Sequence, residues 1–250
     1  MDAWSSAGVV RRHFGSAVSG SFDQNGRIHQ RIRDTLLGFF SGLSDVAVTH
    51  AWGGPLGDVE ERLTRRPSRI SRILERLTAP HSPWHCLLDT ARIGAAGHSL
   101  GGAAVAELTR LDTRPAAIAV LDGSLFGQVL STGPELPVLL CGLTPPDPED
   151  PDVLAGWDQL WPLLRGPRHH TTVRGAGHMS ATDFDVLAGP LGLRDPDDPD
   201  NRFTFGALPP GRGITLVREV LAAFFNEHLM GSPAHIPPEA FPELSLDTIP

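Results

Sequence analysis

The sequence predicts an α/β fold, a mostly parallel sheet with helices on both faces, and three observations carry that reading. Segments that read as strands recur at residues 92–96, 116–121, 138–141 and 169–174, the middle two of them apolar throughout. Between and around them, apolar residues recur at helical spacing, and such alternation builds parallel strands joined by crossover helices. A length of 250 residues suits one such domain with a sizeable core.

The elements follow in order. Ile28, Ile32, Leu36, Phe39 and Phe40 mark a first helix, and Val46-Ala47-Val48 a strand. Ile70, Ile73, Leu74 and Leu77 form the i, i+3, i+4, i+7 stripe of an amphipathic helix, with Pro67 suited to its first turn. After the four strands, Ile214, Val217, Val220, Leu221, Phe224 and Phe225 trace a closing helix that ends before Gly231. Residues 144–151 and 189–213 read as loops. There is no internal repeat, so residues 1–231 are expected to form a single domain. Residues 232–250 are expected to be a proline-rich tail, wrapped on the surface or disordered.

One stretch stands out: Gly97-His98-Ser99-Leu100-Gly101-Gly102, between a short apolar run and an alanine-rich helical pattern at 103–111. This is Gly-x-Ser-x-Gly in a strand–turn–helix setting, the nucleophile elbow, which holds its serine in a strained backbone conformation above the sheet edge. A Cβ at Gly97 or Gly101 is expected to collide with the neighbouring strand or helix. The turn sets the Leu100 N–H beside the serine at the positive end of a helix, where an oxyanion would be stabilised.

A serine nucleophile needs a base, and the base needs an orienting acid. Asp122-Gly123 closes the run at 116–121, and a carboxylate at the carboxyl end of a parallel strand lies on the ligand-binding side of such a sheet. Gly175-Ala176-Gly177-His178 turns off the end of the run at 169–174. Ser99, Asp122 and His178 are therefore the candidate catalytic residues. Asp158, Asp183 and Asp185 compete for the acid, with Asp183 better placed to brace the histidine loop. Trp52, Phe22, Leu125 and Phe126 follow predicted strand ends, so they are candidate pocket residues together with His98. His50 either lines the cleft or is structural.

The elbow at 97–102, Leu121-Asp122-Gly123 only 23 residues after the serine, and His178-Met179-Ser180-Ala181-Thr182-Asp183-Phe184 resemble a known family. They are similar to the platelet-activating-factor acetylhydrolase branch of the α/β-hydrolases, which also includes cutinase-like and dienelactone-hydrolase-like serine esterases. The short gap between serine and acid favours the acetylhydrolase branch, and the likeness spans residues 20–230. It implies an α/β-hydrolase fold. The departure is at the front, where family members carry more strands and a His-Gly oxyanion turn. No His-Gly dipeptide precedes Ser99, so the first strands are expected to be missing or abbreviated. By spacing, Val18-Ser19-Gly20-Ser21-Phe22 takes that place, with Ser21 as second oxyanion donor and Phe22 as the alternative.

Composition narrows the partners. With 21 basic and 29 acidic residues the net charge is −8, which disfavours nucleic acid or an anionic membrane. No run reaches membrane-spanning length, and Met1-Asp2-Ala3-Trp4 lacks the features of a secretory signal, so a cytoplasmic location is expected. Cys86 and Cys141 are expected to be two buried thiols rather than a bridge. Every basic residue is arginine and tyrosine is absent, which excludes Schiff-base lysine chemistry and a Walker-type phosphate lysine. The Tyr/Lys pair of short-chain dehydrogenases is missing too. There is no dinucleotide fingerprint, and no metal ligand set is expected. His169 and His170 are adjacent on a strand and face opposite sides. Asp195-Pro196-Asp197-Asp198-Pro199-Asp200-Asn201 lacks the glycine and distal glutamate of an EF-hand loop. No cofactor is expected, and nothing in the sequence marks an oligomeric state.

Two functions fit these features. One is a serine hydrolase acting on a small or medium apolar ester, thioester or lactone. The other is a non-hydrolytic relative, either a ligand-binding pseudoenzyme or a pathway enzyme for cyclisation or acyl transfer.

Overall fold

The computed structural model describes residues 56–143, 154, 156–195, 199–233, 236, 237 and 239–249. The chain divides into two compact units, Met1–Gly54 with Pro190–Leu193, and Pro55–Gly189 with Arg194–Pro250. Every element below belongs to the second. The helix expected over 28–40, the strand at 46–48, Ser21, Phe22, His50, Trp52 and the loop at 144–151 lie outside the described residues.

Five strands form one sheet in the order β1 (Ile93–His98), β2 (Pro115–Leu121), β3 (Val138–Gly142), β4 (Arg168–Val173) and β5 (Leu244–Ile249). The first four are parallel, and β5 pairs antiparallel with β4. The helices are α1 (Leu56–Thr78), α2 (Leu100–Leu111), α3 (Val129–Thr132), α4 (Trp157–Leu160), α5 (Asp183–Ala188), α6 (Pro199–Phe205) and α7 (Arg212–Met230). Strands laid side by side in chain order, with right-handed crossovers, place their connecting helices on one face. The opposite face is left for the helix that follows the last parallel strand, and α7 covers it.

The two cores show this through the period of the strands. Ala117, Ala119, Leu121, Leu139, Cys141 and Val173 pack with Leu216, Val217, Val220 and Phe224 of α7. The alternate residues Ile118, Val120, Val138 and Leu140 pack with Val105 and Ala106 of α2 and Trp157 and Leu160 of α4. Small residues permit close approach. A Cβ on Gly94 would lie 2.6 Å from the Phe225 ring, and one on Gly102 would lie 2.8 Å from Val120 Cγ1. Helix α2 is alanine-rich, with high helix propensity, and buries residues 102–108.

Four expectations need correction. Pro67 lies inside α1 rather than in its first turn; the loss of one helical hydrogen bond, about 3 kcal/mol, is absorbed by a helix of 23 residues. The expected tail supplies β5, because no proline falls between Pro242 and Pro250 and Leu244–Ile249 can pair uninterrupted. Thr171 Oγ1 adds a 2.7 Å hydrogen bond to the Ser245 carbonyl. The expected loop at 189–213 contains α6. Cys86 is exposed, while Cys141 is buried in β3 and both thiols are free; desolvation pushes the Cys141 pKa well up.

Candidate active site

The carboxyl ends of β1 and β2 carry the two backbone exceptions of the structure. Among the described residues, Ser99 and Asp122 are the non-glycine residues with positive φ, at 57° and 47°. Ser99 has ψ −129°, outside the ordinary allowed wells. Such conformations cost about 1–3 kcal/mol each and persist where the surroundings enforce them. Here the enforcement is visible. Ser99 N donates to the Leu121 carbonyl at 2.9 Å, and Gly102 N donates to the Ser99 carbonyl at 2.8 Å. A Cβ on Gly97 would lie 2.1 Å from the Gly101 carbonyl oxygen, and one on Gly123 would lie 2.3 Å from the Ser99 carbonyl oxygen. Gly101 differs from expectation: a Cβ there meets nothing within 4 Å. It faces open space on the first turn of α2, so only Gly97 of that pair is needed for close approach.

Helix α2 begins at Leu100, directly after Ser99. First-turn N–H groups have no intrahelical acceptor and sit at the positive end of the helix. The Leu100 N–H therefore belongs to a ready anion-binding end beside Ser99.

Asp122 is buried, 2% exposed, and each of its carboxylate oxygens has a donor. Oδ1 accepts from Leu143 N at 2.7 Å and Oδ2 accepts from His178 Nδ1 at 2.7 Å. The carboxylate can only accept, so Nδ1 carries the proton and Nε2 is the nitrogen free for proton transfer. The turn after Asp122 is held from below by Trp157, whose Nε1 donates to the Gly123 carbonyl at 2.8 Å. Asp158 lies beside that tryptophan in the first turn of α4, and the acid that meets His178 is Asp122.

The loop that carries His178 is fixed by residues far along the chain. His178 N and Met179 N donate to the carbonyls of Phe203 and Thr204 in α6, at 2.8 and 2.7 Å. The Phe203 ring lies nearly parallel to the imidazole, with centroids 5.9 Å apart. Ser180 Oγ accepts from Gly177 N and donates to the Phe205 carbonyl, both at 2.9 Å. The expected brace at Asp183 is instead Asp185, two residues on. Its buried carboxylate accepts from Arg194 Nη2 at 2.6 Å and Gly211 N at 2.7 Å. Helical geometry explains the switch, since Asp183 opens α5 while Asp185 points inward from it.

His98 is brought to the site by β1. Its ring centroid is 4.6 Å from that of His178, and its Nε2 donates to the His178 carbonyl at 2.7 Å. Burial, and then the neighbouring His178, lower its pKa to about 4. Leu125 was expected along the pocket; it is fully buried in the core on the α2 side. Phe126, the next residue, is partly exposed. His169 and His170 face opposite sides of β4, His169 toward Phe224 and His170 toward Trp157 and Trp161. Of the acidic loop, Asp195 N donates to Asn201 Oδ1 at 2.9 Å, and residues 196–198 lie outside the described residues.

A parallel sheet whose carboxyl edge carries a strained serine ahead of a helix and a histidine hydrogen-bonded to a buried aspartate defines a class. The chain has the fold of the α/β-hydrolases. Among solved structures it is similar to a ferulic acid esterase from Streptomyces cinnamoneus, with 32% identity and a TM-score of 0.66, over 76% of this chain and 56% of that one. Among curated proteins it is similar to a probable 1-alkyl-2-acetylglycerophosphocholine esterase from Arthroderma benhamiae, 26% identical over 184 residues, 67% of this chain and 44% of that protein. The chain thus spans about half the length of these relatives. No family model matches the sequence. Among the described residues, no helix is long and apolar enough to cross a membrane.

Proposed function

We propose that the protein is a serine hydrolase that cleaves carboxylic ester bonds of a small or medium apolar acyl substrate. The observation that carries this is the Asp122–His178 hydrogen bond of 2.7 Å at the sheet edge that also holds Ser99 in its strained turn. Ser99 Oγ attacks the acyl carbonyl while His178 Nε2 takes its proton. The tetrahedral oxyanion is held by the Leu100 N–H at the start of α2. Collapse expels the alkoxide, which receives the proton from His178 and leaves as the alcohol. Water then attacks the acyl-enzyme, His178 again removes the proton, and the free acid departs with Ser99 regenerated. Throughout, Asp122 keeps the proton on Nδ1 and stabilises the transient imidazolium.

The names of the two relatives agree on ester cleavage and differ on the ester. An uncharged acyl group suits this site, since the side chains stacked around His178 are aromatic rather than cationic. The test is hydrolysis of p-nitrophenyl acetate and longer p-nitrophenyl esters by full-length protein. Ser99→Ala is expected to abolish turnover above background on all of them. Wild-type turnover in that variant would remove Ser99 as nucleophile and revive the non-hydrolytic reading. A preference for charged acyl groups would contradict the apolar substrate class.

A further inference from the structure

At the other edge of the sheet, a second histidine cluster forms that no sequence spacing announces. His169 is the second residue of β4, near its amino end, whereas Ser99 and Asp122 follow carboxyl ends. Helix α7 runs from one edge to the other. Gly213, at its start, lies against Ser180, and Phe225 and Leu229, near its end, lie against Gly94 at the start of β1. Its last turn thereby delivers Glu227 and His228 to His169.

We propose that His169, Glu227 and His228 form a binding site for one divalent transition-metal ion of the zinc class. Their ligand atoms all lie within 4.8 Å of one another. The two imidazole Nε2 atoms are 2.8 Å apart, so they already converge on a common point. All three side chains are half-buried, which combines preorganisation with access from solvent. Two imidazoles and a carboxylate are a borderline donor set that suits zinc, cobalt, nickel or copper better than calcium or magnesium. In a tetrahedral zinc site with N–Zn of about 2.0–2.1 Å, two ligand nitrogens stand roughly 3.3 Å apart. The rings therefore need to separate by only about half an ångström, with the fourth position left to water.

The surroundings favour a cation in the same way. The site sits in the last turn of a 19-residue helix, at the negative end of its dipole. Phe224 packs edge-on against both rings, at 5.5 and 4.8 Å, and limits their rotation. The site is separate from the residues proposed for catalysis, so its role is structural: the ion would tie the end of α7 to β4 and, through β4, to β5.

The test is a calorimetric titration of EDTA-treated, dialysed full-length protein with zinc chloride, paired with a thermal scan. Wild type is expected to bind one equivalent, and saturating zinc at about 100 times Kd should raise Tm by roughly 5–10 °C. His228→Gln and Glu227→Gln alter only the half-exposed last turn and should weaken that binding about 100-fold, with the Tm shift lost. His170→Gln, on the opposite face of the strand, should bind as wild type does. Long-range 1H–15N spectra should show one equivalent of zinc moving the ring resonances that disappear in His169→Gln and His228→Gln. Undiminished affinity in both last-turn variants, or no binding to wild type at submillimolar zinc, would overturn the site.

Discussion

The two halves of the candidate site are built by opposite means. The serine half is local: Gly97 to Gly102 supply the strand end, the turn and the helix start, and their strain is enforced within one contiguous motif. The histidine half is assembled from afar. His178 is held by Asp122 just past β2, by carbonyls of α6, by its stack on Phe203, by the Asp185–Arg194 pair behind α5, and by His98 reaching across from β1. A backbone conformation can be written in neighbouring residues, whereas the orientation of a ring needs neighbours on several sides. Damage to the first half should therefore appear as steric disruption, and damage to the second as loss of orientation.

The largest effect expected is at the joint between the halves. Asp122→Asn removes control of the His178 tautomer and should lower kcat about 10⁴-fold, the scale of triad aspartates generally. Asp183→Asn should stay within a few-fold of wild type. Steady-state kinetics on one p-nitrophenyl ester checks both, and the reverse ranking would move the acid off Asp122.

Next is the buried pair behind the histidine loop. Arg194→Ala leaves the Asp185 carboxylate buried, 1% exposed, with the Gly211 N–H as its remaining donor among the described residues. Breaking such a pair typically costs about 3–5 kcal/mol. Denaturant unfolding should show that loss, and kcat should fall with it if the loop carries the proposed base, His178.

The serine half offers a paired test. Gly97→Ala forces a Cβ to 2.1 Å from the Gly101 carbonyl, a backbone contact that cannot yield, and should cost about 3 kcal/mol or more. Gly101→Ala meets open space in a helix where alanine is favoured by about 0.8–1 kcal/mol. Its Tm should match or exceed that of wild type. Equal destabilisation by the two changes would mean that glycine is required for flexibility rather than close approach.

The smallest effect is the pH dependence set by His98. Its folded-state pKa lies near 4, below the ordinary 6.5, so between those values the unfolded chain binds a proton that the folded chain does not. Stability should therefore be retained above pH 6.5 and decline as pH falls toward 4. The size of this contribution is up to about 3 kcal/mol. In His98→Gln that part of the slope should vanish from urea unfolding measured between pH 7 and pH 4.

The same division explains what could be read from the sequence. The strands at 93–98, 115–121 and 138–142 are legible because each is a short, mostly apolar run bounded by turn residues, and the strand at 168–173 through its β-branched Thr171-Thr172-Val173. The elbow is legible because its chemistry is contiguous. Helix α7 shows in its apolar period, but its contact with β4 does not, so the His169–Glu227–His228 cluster was invisible to spacing. Asp185 was passed over for Asp183 because linear distance to His178 says nothing about which carboxylate α5 turns inward. Leu125 looked like a pocket residue for the same reason, since a position after a strand end does not reveal which way the side chain points. Strand β5 was hidden by the prolines that precede it.

The most direct test of the central claim is covalent labelling of folded full-length protein with a fluorophosphonate, read by intact and peptide mass spectrometry. One adduct per chain is expected, on Ser99, with labelling slowed strongly in Asp122→Asn and absent in Ser99→Ala. A folded wild-type protein that takes no label, or takes it on another serine, would contradict Ser99 as the nucleophile.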